Sequence, residues 1–180
     1  MKILIHICCA PCFAYPHRKL TEDGHEVVGF FYNPNIHPYT EHRARLHALQ
    51  RYSALKPVEI IYRDEYPLED FIRGQLSAID GDKQRCQFCF ETRLGETARL
   101  AKEKGFDAFT TTLLESKHQP HEMIRQVGEA LAKEYEIPLF YEDFRTGWKE
   151  GIQMSKDMEL YRQKYCGCIF SEKERYMEKK

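Results

Sequence analysis

Five short apolar runs alternate with segments of helical periodicity, and this alternation leaves few folds open to the chain. The runs are rich in β-branched and aromatic residues, as the buried strands of a parallel sheet are. Between them, apolar residues recur every three or four positions, which is typical of one helix face. The alternation predicts an α/β fold with a Rossmann-like parallel sheet of about five strands. The predicted strands are Ile3–Cys8, Val27–Tyr32, Val58–Tyr62, Phe106–Leu113 and Ile137–Tyr141.

Two stretches depart from the alternation. Residues 64–85 predict a helical insertion followed by a loop, and residues 148–180 predict a C-terminal helical appendage. With 180 residues, 42% hydrophobic and 31% charged, the composition excludes disordered and fibrous classes. We therefore expect one folded α/β domain over residues 1–180.

The N-terminal apolar run is too short for a secretory signal and lacks a cleavage site of small residues. No window approaches the roughly 20 apolar residues that a membrane span needs. We expect a cytoplasmic protein with no membrane partner. In that compartment thiols are kept reduced, so a patterned set of cysteines indicates metal binding or catalysis.

The seven cysteines fall into three groups, Cys8-Cys9-x-x-Cys12, Cys86-x-x-Cys89 and Cys166-x-Cys168. A structural zinc site needs four ligands and would leave three thiols over. An iron–sulfur cluster takes three or four thiolates, which leaves enough for a second metal beside it. The pattern therefore predicts a redox-active metal site rather than a set of disulfides.

The surroundings of each group suggest how the sulfurs are presented. Cys86 and Cys89 come where a helix is predicted to begin near Phe88, and helix N-termini favour thiolates. Gly167 allows the tight turn that two converging sulfurs require. Cys8 and Cys9 leave a strand as neighbours, so we expect them to point to opposite sides and to serve different metals, unless one only supports the other.

Polar and aromatic residues follow the predicted strands, and the carboxyl ends of parallel strands share one crevice. Asp143 follows the fifth run and is our candidate catalytic residue, as a metal ligand or proton donor; Glu115 is a weaker candidate. Four aromatic residues are candidates for stacking on a nucleic-acid base or for core packing: Tyr32, Tyr39, Phe144 and Trp148.

The formal net charge of -1 argues against binding of nucleic acid through the overall field of the protein, but it leaves room for a local basic patch. Arg43, Arg45 and Arg51 form one such candidate on a predicted helix. Solvated helix faces are the alternative interpretation of such charges.

The chain resembles the cobalamin-independent epoxyqueuosine reductases called QueH. The likeness extends in order over residues 3–170. It rests on the motifs His6-x-Cys8-Cys9-Ala10-Pro11-Cys12, Phe31-Tyr32-Asn33-Pro34-Asn35-Ile36-His37-Pro38, Cys86-x-x-Cys89 with Arg93-Leu94, Phe106–Leu114, Asp143-Phe144-Arg145 and Leu160–Cys168.

The resemblance implies a Rossmann-like fold, a [4Fe-4S] cluster with a neighbouring mononuclear iron, and reduction of epoxyqueuosine to queuosine in the tRNA anticodon loop, as the final step of queuosine synthesis. The electron donor is not implied. We assign Cys9, Cys12, Cys86 and Cys89 to the cluster, and Cys8, Cys166 and Cys168 with Asp143 to the iron. For contacts with the tRNA substrate we expect Asn33, Asn35, His37, Arg43, Arg145, Arg162 and Lys164.

Two other functions stay open. One is a tRNA-binding module with structural zinc and no catalysis. The other is an ATP-using tRNA sulfurtransferase, although the turn Cys8–Cys12 lacks the glycines with which a phosphate-binding loop cradles its ligand.

Overall fold

The computed structural model describes residues 1–81 and 84–177. Positions 82–83 of the predicted insertion and 178–180 of the predicted appendage lie outside the described residues. The strands are β1 (Lys2–His6), β2 (Glu26–Tyr32), β3 (Glu59–Arg63) and β4 (Ala108–Thr111). The helices are α1 (Ala10–Glu22), α2 (Tyr39–Leu55), α3 (Leu68–Asp80), α4 (Arg85–Glu103), α5 (His121–Glu134), α6 (Trp148–Asp157) and α7 (Ile169–Tyr176).

The four strands form one parallel sheet in the order β3-β2-β1-β4, which confirms the predicted α/β fold. β1 is central, between β2 and β4, and its residues Ile3, Leu4 and Ile5 are fully buried. A strand covered on both faces has to be apolar throughout, which explains the unbroken run at the N-terminus. His6 ends this strand, and its Nδ1 lies 2.9 Å from the hydroxyl of Thr111 on β4.

The fifth predicted run, Ile137–Tyr141, touches the sheet at a single parallel bridge between Phe109 and Leu139. Pro138 accepts a 3.0 Å hydrogen bond from the Phe109 amide but has no N–H with which to extend the ladder. β4 is also only four residues long. The run therefore lies along the sheet edge without becoming a full strand.

The order of the strands places a switch point between β1 and β4. From β1 the chain moves outward through β2 and β3, and it then returns to the other side of β1. Connections diverge at such a point, which leaves a crevice beyond the carboxyl ends of the strands. Cys8 follows β1 and Thr112 follows β4, and the Cys8 amide donates a 3.1 Å hydrogen bond to the Thr112 hydroxyl.

The two stretches that depart from the βα alternation, residues 64–85 and 148–180, both contain helices, as predicted. α3 lies in the predicted insertion and packs on α4, while α6 packs on α1. Within the two described ranges, no helix combines the length and apolar character that a membrane crossing needs.

Candidate metal centre

The turn between β1 and α1 brings three sulfurs together. Cys9 caps α1 with extended backbone, and Pro11 lies in the first turn, where its missing N–H costs nothing. The Sγ atoms of Cys8, Cys9 and Cys12 all lie within 4.8 Å of one another. We call these residues the N-terminal trio, and their spacing can hold a metal ion.

The expectation that Cys8 and Cys9 point to opposite sides is wrong. Their Sγ atoms lie 3.7 Å apart. β1 ends at His6, so the chain has already left the strand at Cys8, and strand alternation no longer fixes the side-chain directions. Both sulfurs therefore belong to the same group.

Hydrogen bonding among the trio favours the thiolate form of Cys8. Hydrogen bonds with Cys12 and Cys9 hold the pKa of Cys8 well below its usual value, and the Thr112 hydroxyl lies 3.3 Å from its sulfur. Burial raises the pKa of Cys9, and the hydrogen bond with Cys8 raises that of Cys12. Among the three thiols, Cys8 is therefore the one whose thiolate form the surroundings favour most.

The other four cysteines lie in two pairs, Cys86 with Cys89 and Cys166 with Cys168, which we together call the C-terminal quartet. α4 begins at Arg85, three residues before the predicted start, so Cys86 and Cys89 lie within its first turns. The Sγ atoms of Cys166 and Cys168 are 3.9 Å apart. The hydrogen bond with Cys168 lowers the pKa of Cys166 to about 5.

Burial raises the pKa of both helical cysteines of the quartet, that of Cys89 to about 11. The negative charge of Cys166 acts in the same direction on both, which shows that the pairs are electrostatic neighbours. All seven cysteines are free thiols. The sequence-based partition divides both the trio and the quartet between the two metals, and that assignment stays a prediction, although the structure places the three sulfurs of the trio together.

Both groups face one cavity of about 600 Å³. Its walls include Cys12 from the trio and Cys86, Cys166 and Cys168 from the quartet. Gln163 also lines it, and its side-chain amide donates a 3.3 Å hydrogen bond to the Cys12 sulfur. A small molecule in this cavity would meet sulfurs of both groups.

Two buried arginines counter the charge of these thiolates. Arg93 is 3% exposed and donates a 3.2 Å hydrogen bond to the Cys89 carbonyl. Its charge opposes the rise in pKa that burial causes at Cys86 and Cys89, and it adds to the lowering of the Cys166 pKa. Arg45 is 1% exposed and acts in the same way on Cys9. A low-dielectric interior makes such cations effective partners for thiolates.

The burial of Arg45 corrects its inclusion in a basic patch. Its guanidinium donates to Glu41 at 2.8 Å and to the carbonyls of Cys166 and Tyr165 at 3.0 Å each. A side chain so enclosed cannot contact an RNA phosphate. Sequence alone missed it because only the Glu41-to-Arg45 spacing of one helical turn hints at the ion pair.

Asn33, Asn35 and His37, which we expected to bind substrate, are all at most 2% exposed. The Asn33 amide donates to the Ile7 carbonyl at 2.8 Å. The His37 amide donates to the Gly167 carbonyl at 2.7 Å, and the Tyr165 hydroxyl donates to the His37 carbonyl. The loop that contains these three residues is therefore hydrogen-bonded to the segment around Cys166 and Cys168 and supports its position.

Glu115 is the buried carboxyl group of the cavity, whereas Glu174, the other carboxyl group in its lining, is exposed and pairs with Arg85. It follows β4 in a 3₁₀ turn, is 3% exposed and lines the cavity. Burial raises its pKa to about 8, with the charge of Cys8 acting in the same direction and a hydrogen bond with Cys12 opposing it. In the sequence, the feature that pointed to Glu115 as a site residue was its position just after a predicted strand.

Asp143, by contrast, is not brought to the cysteines. Its carboxylate accepts hydrogen bonds of 2.7 and 2.6 Å from the Arg145 guanidinium, which lowers the pKa of Asp143 to about 2. Among the described residues, the only metal-ligating group of three or more is the trio, without Asp143. Its role stays a prediction that no contact supports, and the pairing occupies Arg145 as well.

The remaining cations divide into two sets. Arg43 pairs with Asp64 and Arg51 with Glu159, both on the surface. Arg162 and Lys164 line the cavity, as does Arg175. Within residues 1–81 and 84–177 these last three have no ion-pair partner, so their charges are free to meet an anionic ligand.

Comparison with known proteins gives one consistent result. The family model described as "Epoxyqueuosine reductase QueH" matches residues 3–174. A protein of that name from Dehalococcoides mccartyi is 40% identical over 97% of this chain and 94% of its own length. The Thermotoga maritima protein of the same name is 36% identical over 96% of this chain and 91% of its own length. The Helicobacter pylori protein of that name is 38% identical over 94% of this chain and 49% of its own length. The chain belongs to the epoxyqueuosine reductase QueH family.

Proposed function

We propose that this chain reduces epoxyqueuosine in the anticodon loop of tRNA to queuosine, in the cavity between the trio and the quartet. The observation that carries the proposal is that one cavity is lined by thiols of both groups, a buried carboxyl group and unpaired cations. Each of these features answers a requirement of the reaction. The family to which the chain belongs supports the same activity.

The reaction converts an epoxide to an alkene. Two C–O bonds break, the C–C bond becomes double, and the oxygen leaves as water after taking up two protons and two electrons. The electrons come from an external reductant of the one-electron class. The chain therefore has to hold a redox centre, supply protons and bind the nucleotide.

For the redox centre, the quartet offers the four thiolates that a [4Fe-4S] cluster takes. The trio offers three, which would hold a mononuclear iron and leave a coordination position open. This division replaces the partition that put Cys9 and Cys12 with Cys86 and Cys89. When bound, the cluster supplies electrons singly and the iron supplies a Lewis acid.

The residues themselves support that loading. The pKa of Cys8 and that of Cys166 are both lowered, so each group presents a thiolate to a metal. Arg45 and Arg93 offset the added negative charge from within the core. Gln163 donates a hydrogen bond to Cys12, a contact that reduces the charge a thiolate donates to its metal.

For the protons, Glu115 is the better candidate than Asp143. Glu115 lines the cavity, whereas the carboxylate of Asp143 is occupied by Arg145. A general acid must lie within hydrogen-bond reach of the group that it protonates. We therefore propose Glu115 as the donor of one proton to the departing oxygen.

For the nucleotide, Arg162 and Lys164 are the proposed phosphate contacts, with Arg175 beside them. All three line the cavity without an ion-pair partner among the described residues. Phosphate contacts of this kind position an RNA and make its binding sensitive to salt.

The test is to incubate anaerobically purified protein with a one-electron chemical reductant and tRNA that carries epoxyqueuosine, and to identify the nucleoside after digestion. We expect queuosine, from protein that is brown and contains labile sulfide. Protein that contains zinc and no sulfide, with unchanged epoxyqueuosine, would favour the structural zinc module. ATP turnover that depends on tRNA would favour the sulfurtransferase.

A further inference from the structure

We propose that the indole of Trp148 is the platform on which the base of the target nucleotide stacks. The inference rests on the proposed function, since it names where that substrate's base lies. It follows from the apolar part of the cavity wall, where α6 presents the aromatic ring of Trp148 and the aliphatic side chain of Ile152.

The structure separates the four aromatic residues that the sequence offered for stacking. Phe144 is fully buried in the core. Tyr39 is exposed but packs on His42 and Tyr66, away from the cavity. Tyr32 ends β2, and its ring contacts the Arg63 guanidinium, 5.3 Å from the ring centroid, outside the lining of the cavity. Only Trp148, of these four, lines the cavity.

Two glycines of the same segment fix the position of this ring. A Cβ at Gly147 would collide with the ring of Tyr15 on α1, and one at Gly151 would lie 3.1 Å from Glu115 Oε1. α6 can therefore approach α1 closely along the side that carries both glycines. Trp148 and Ile152 follow these glycines by one residue each and share one helix face. That face is the cavity wall, because both side chains line it.

The charge around the ring suits a nucleotide. The Lys117 ammonium lies 4.7 Å from the Trp148 ring centroid, and Arg162 and Lys164 line the same cavity. Single-stranded nucleic acids are commonly bound by an aromatic ring that stacks on a base together with cations that contact the phosphates. A cavity of about 600 Å³ has room for a nucleoside.

The platform and the reacting groups belong to one cavity. Glu115 touches α6 at Gly151, one turn from Trp148, and Cys12 lines the cavity beside it. A base stacked on the indole therefore directs its epoxide-bearing substituent into a space that also contains the carboxyl group and the thiols. Stacking would supply binding and orientation, while the bond changes occur elsewhere on the ligand.

The first test compares Trp148→Phe and Trp148→Leu with the wild-type holoenzyme on epoxyqueuosine-containing tRNA. Because stacking on an aromatic ring contributes about 1–3 kcal/mol per base, we expect Trp148→Leu to raise KM by about 10-fold or more with a small change in kcat. Trp148→Phe keeps an aromatic face and should restore most of the affinity. Tyr39→Leu removes an exposed aromatic residue outside the cavity, and we expect it to leave KM unchanged.

The second test needs no variant, because Trp148 is the only tryptophan of the chain. Titration of the holoenzyme with an anticodon stem-loop RNA should quench or shift its fluorescence, with saturation at the same concentration as binding. Unchanged fluorescence at saturating RNA would overturn the inference. So would a Trp148→Leu enzyme with wild-type KM and wild-type iron content. If instead the wild-type enzyme leaves epoxyqueuosine intact, the proposed function itself is wrong.

Discussion

The guanidinium of Arg45, on α2, donates a 3.0 Å hydrogen bond to the carbonyl oxygen of Cys166, more than a hundred residues later in the chain. The same group binds the Tyr165 carbonyl and is held by Glu41, whose other carboxylate oxygen accepts from Tyr161. Gly167 lies against this guanidinium, since a Cβ there would come within 3.2 Å of it. Arg45 therefore fixes the segment that presents two thiols of the quartet.

Arg45→Lys should destabilise the protein and loosen that segment. Lysine keeps the charge but cannot make the three directed hydrogen bonds, so buried acceptors lose their partners. We expect the free energy of unfolding to fall by about 2–4 kcal/mol. In metal-free, reduced protein, alkylation of Cys166 should become faster, measured by mass spectrometry of peptides.

The control is Arg43→Lys, two residues earlier on α2, where the arginine pairs with Asp64 at the surface. Exposed ion pairs contribute at most about 1 kcal/mol, so this variant should unfold much as the wild type does. Equal stability and equal Cys166 reactivity in the two variants would contradict the clamping role of Arg45.

A buried histidine makes stability depend on pH. His42 is fully buried, its ring contacts Phe31 and Tyr66, and neither ring nitrogen has a hydrogen-bond partner among the described residues. Burial lowers its pKa, with the charges of Arg43 and Arg45 acting in the same direction and that of Asp64 opposing them. The nearby His37 also has a pKa that burial lowers.

Because the folded pKa of His42 lies below the unfolded value of about 6.5, the unfolded chain takes up the proton first. Its contribution to stability is therefore present above that pH and is lost as the pH falls below it, by at most about 1.4 kcal/mol per pH unit. His42→Phe, which suits the aromatic surroundings, should unfold with a shallower pH dependence between pH 7.5 and 5.5. Denaturant titrations that give parallel curves for variant and wild type would refute this.

Lys164→Gln should weaken binding of anticodon stem-loop RNA and reduce its salt sensitivity. Each phosphate contact releases about one counterion, so the slope of log affinity against log salt should fall by about one. Lys104→Gln changes an exposed lysine at the far end of α4 and should leave the slope unchanged. Identical slopes for both variants would exclude Lys164 as a phosphate contact.

Glu115→Gln should lower kcat by about 100-fold or more, which is the lower end of what a general acid contributes. Iron, sulfide and KM should stay close to wild type, because the amide fills the same space. Glu150→Gln, which alters an exposed carboxylate of α6 paired with Arg18, is the matched control. A Glu115→Gln enzyme with unreduced kcat would remove Glu115 from the reaction.

Much of the fold could be predicted because it depends on local pattern. The run around Ile3–Ile5 is apolar throughout since β1 is buried on both faces, and the sequence displays that directly. The fifth strand was less certain for an equally local reason, since Pro138 limits the pairing to one bridge. Cysteine spacing predicted a metal centre but not the membership of each group.

The rest of the site depends on contacts between distant segments. The burial of Arg45 follows from the docking of the Cys166–Cys168 segment onto α2, and within α2 only the spacing of one turn from Glu41 distinguishes it from Arg43. Likewise Asp143 and Glu115 both follow strand-like runs, but Glu115 lies against α6 and lines the cavity, whereas Asp143 is outside the lining. Such choices are made by tertiary packing, which a periodic pattern does not encode.

The division into trio and quartet is tested most directly by counting iron and labile sulfide in anaerobically purified Cys89→Ser and Cys12→Ser proteins. If a [4Fe-4S] cluster is bound by the quartet, Cys89→Ser protein should lose the labile sulfide, about four per chain. Cys12→Ser protein should keep this sulfide and lose about one iron. Sulfide that is lost in Cys12→Ser and retained in Cys89→Ser would contradict the division.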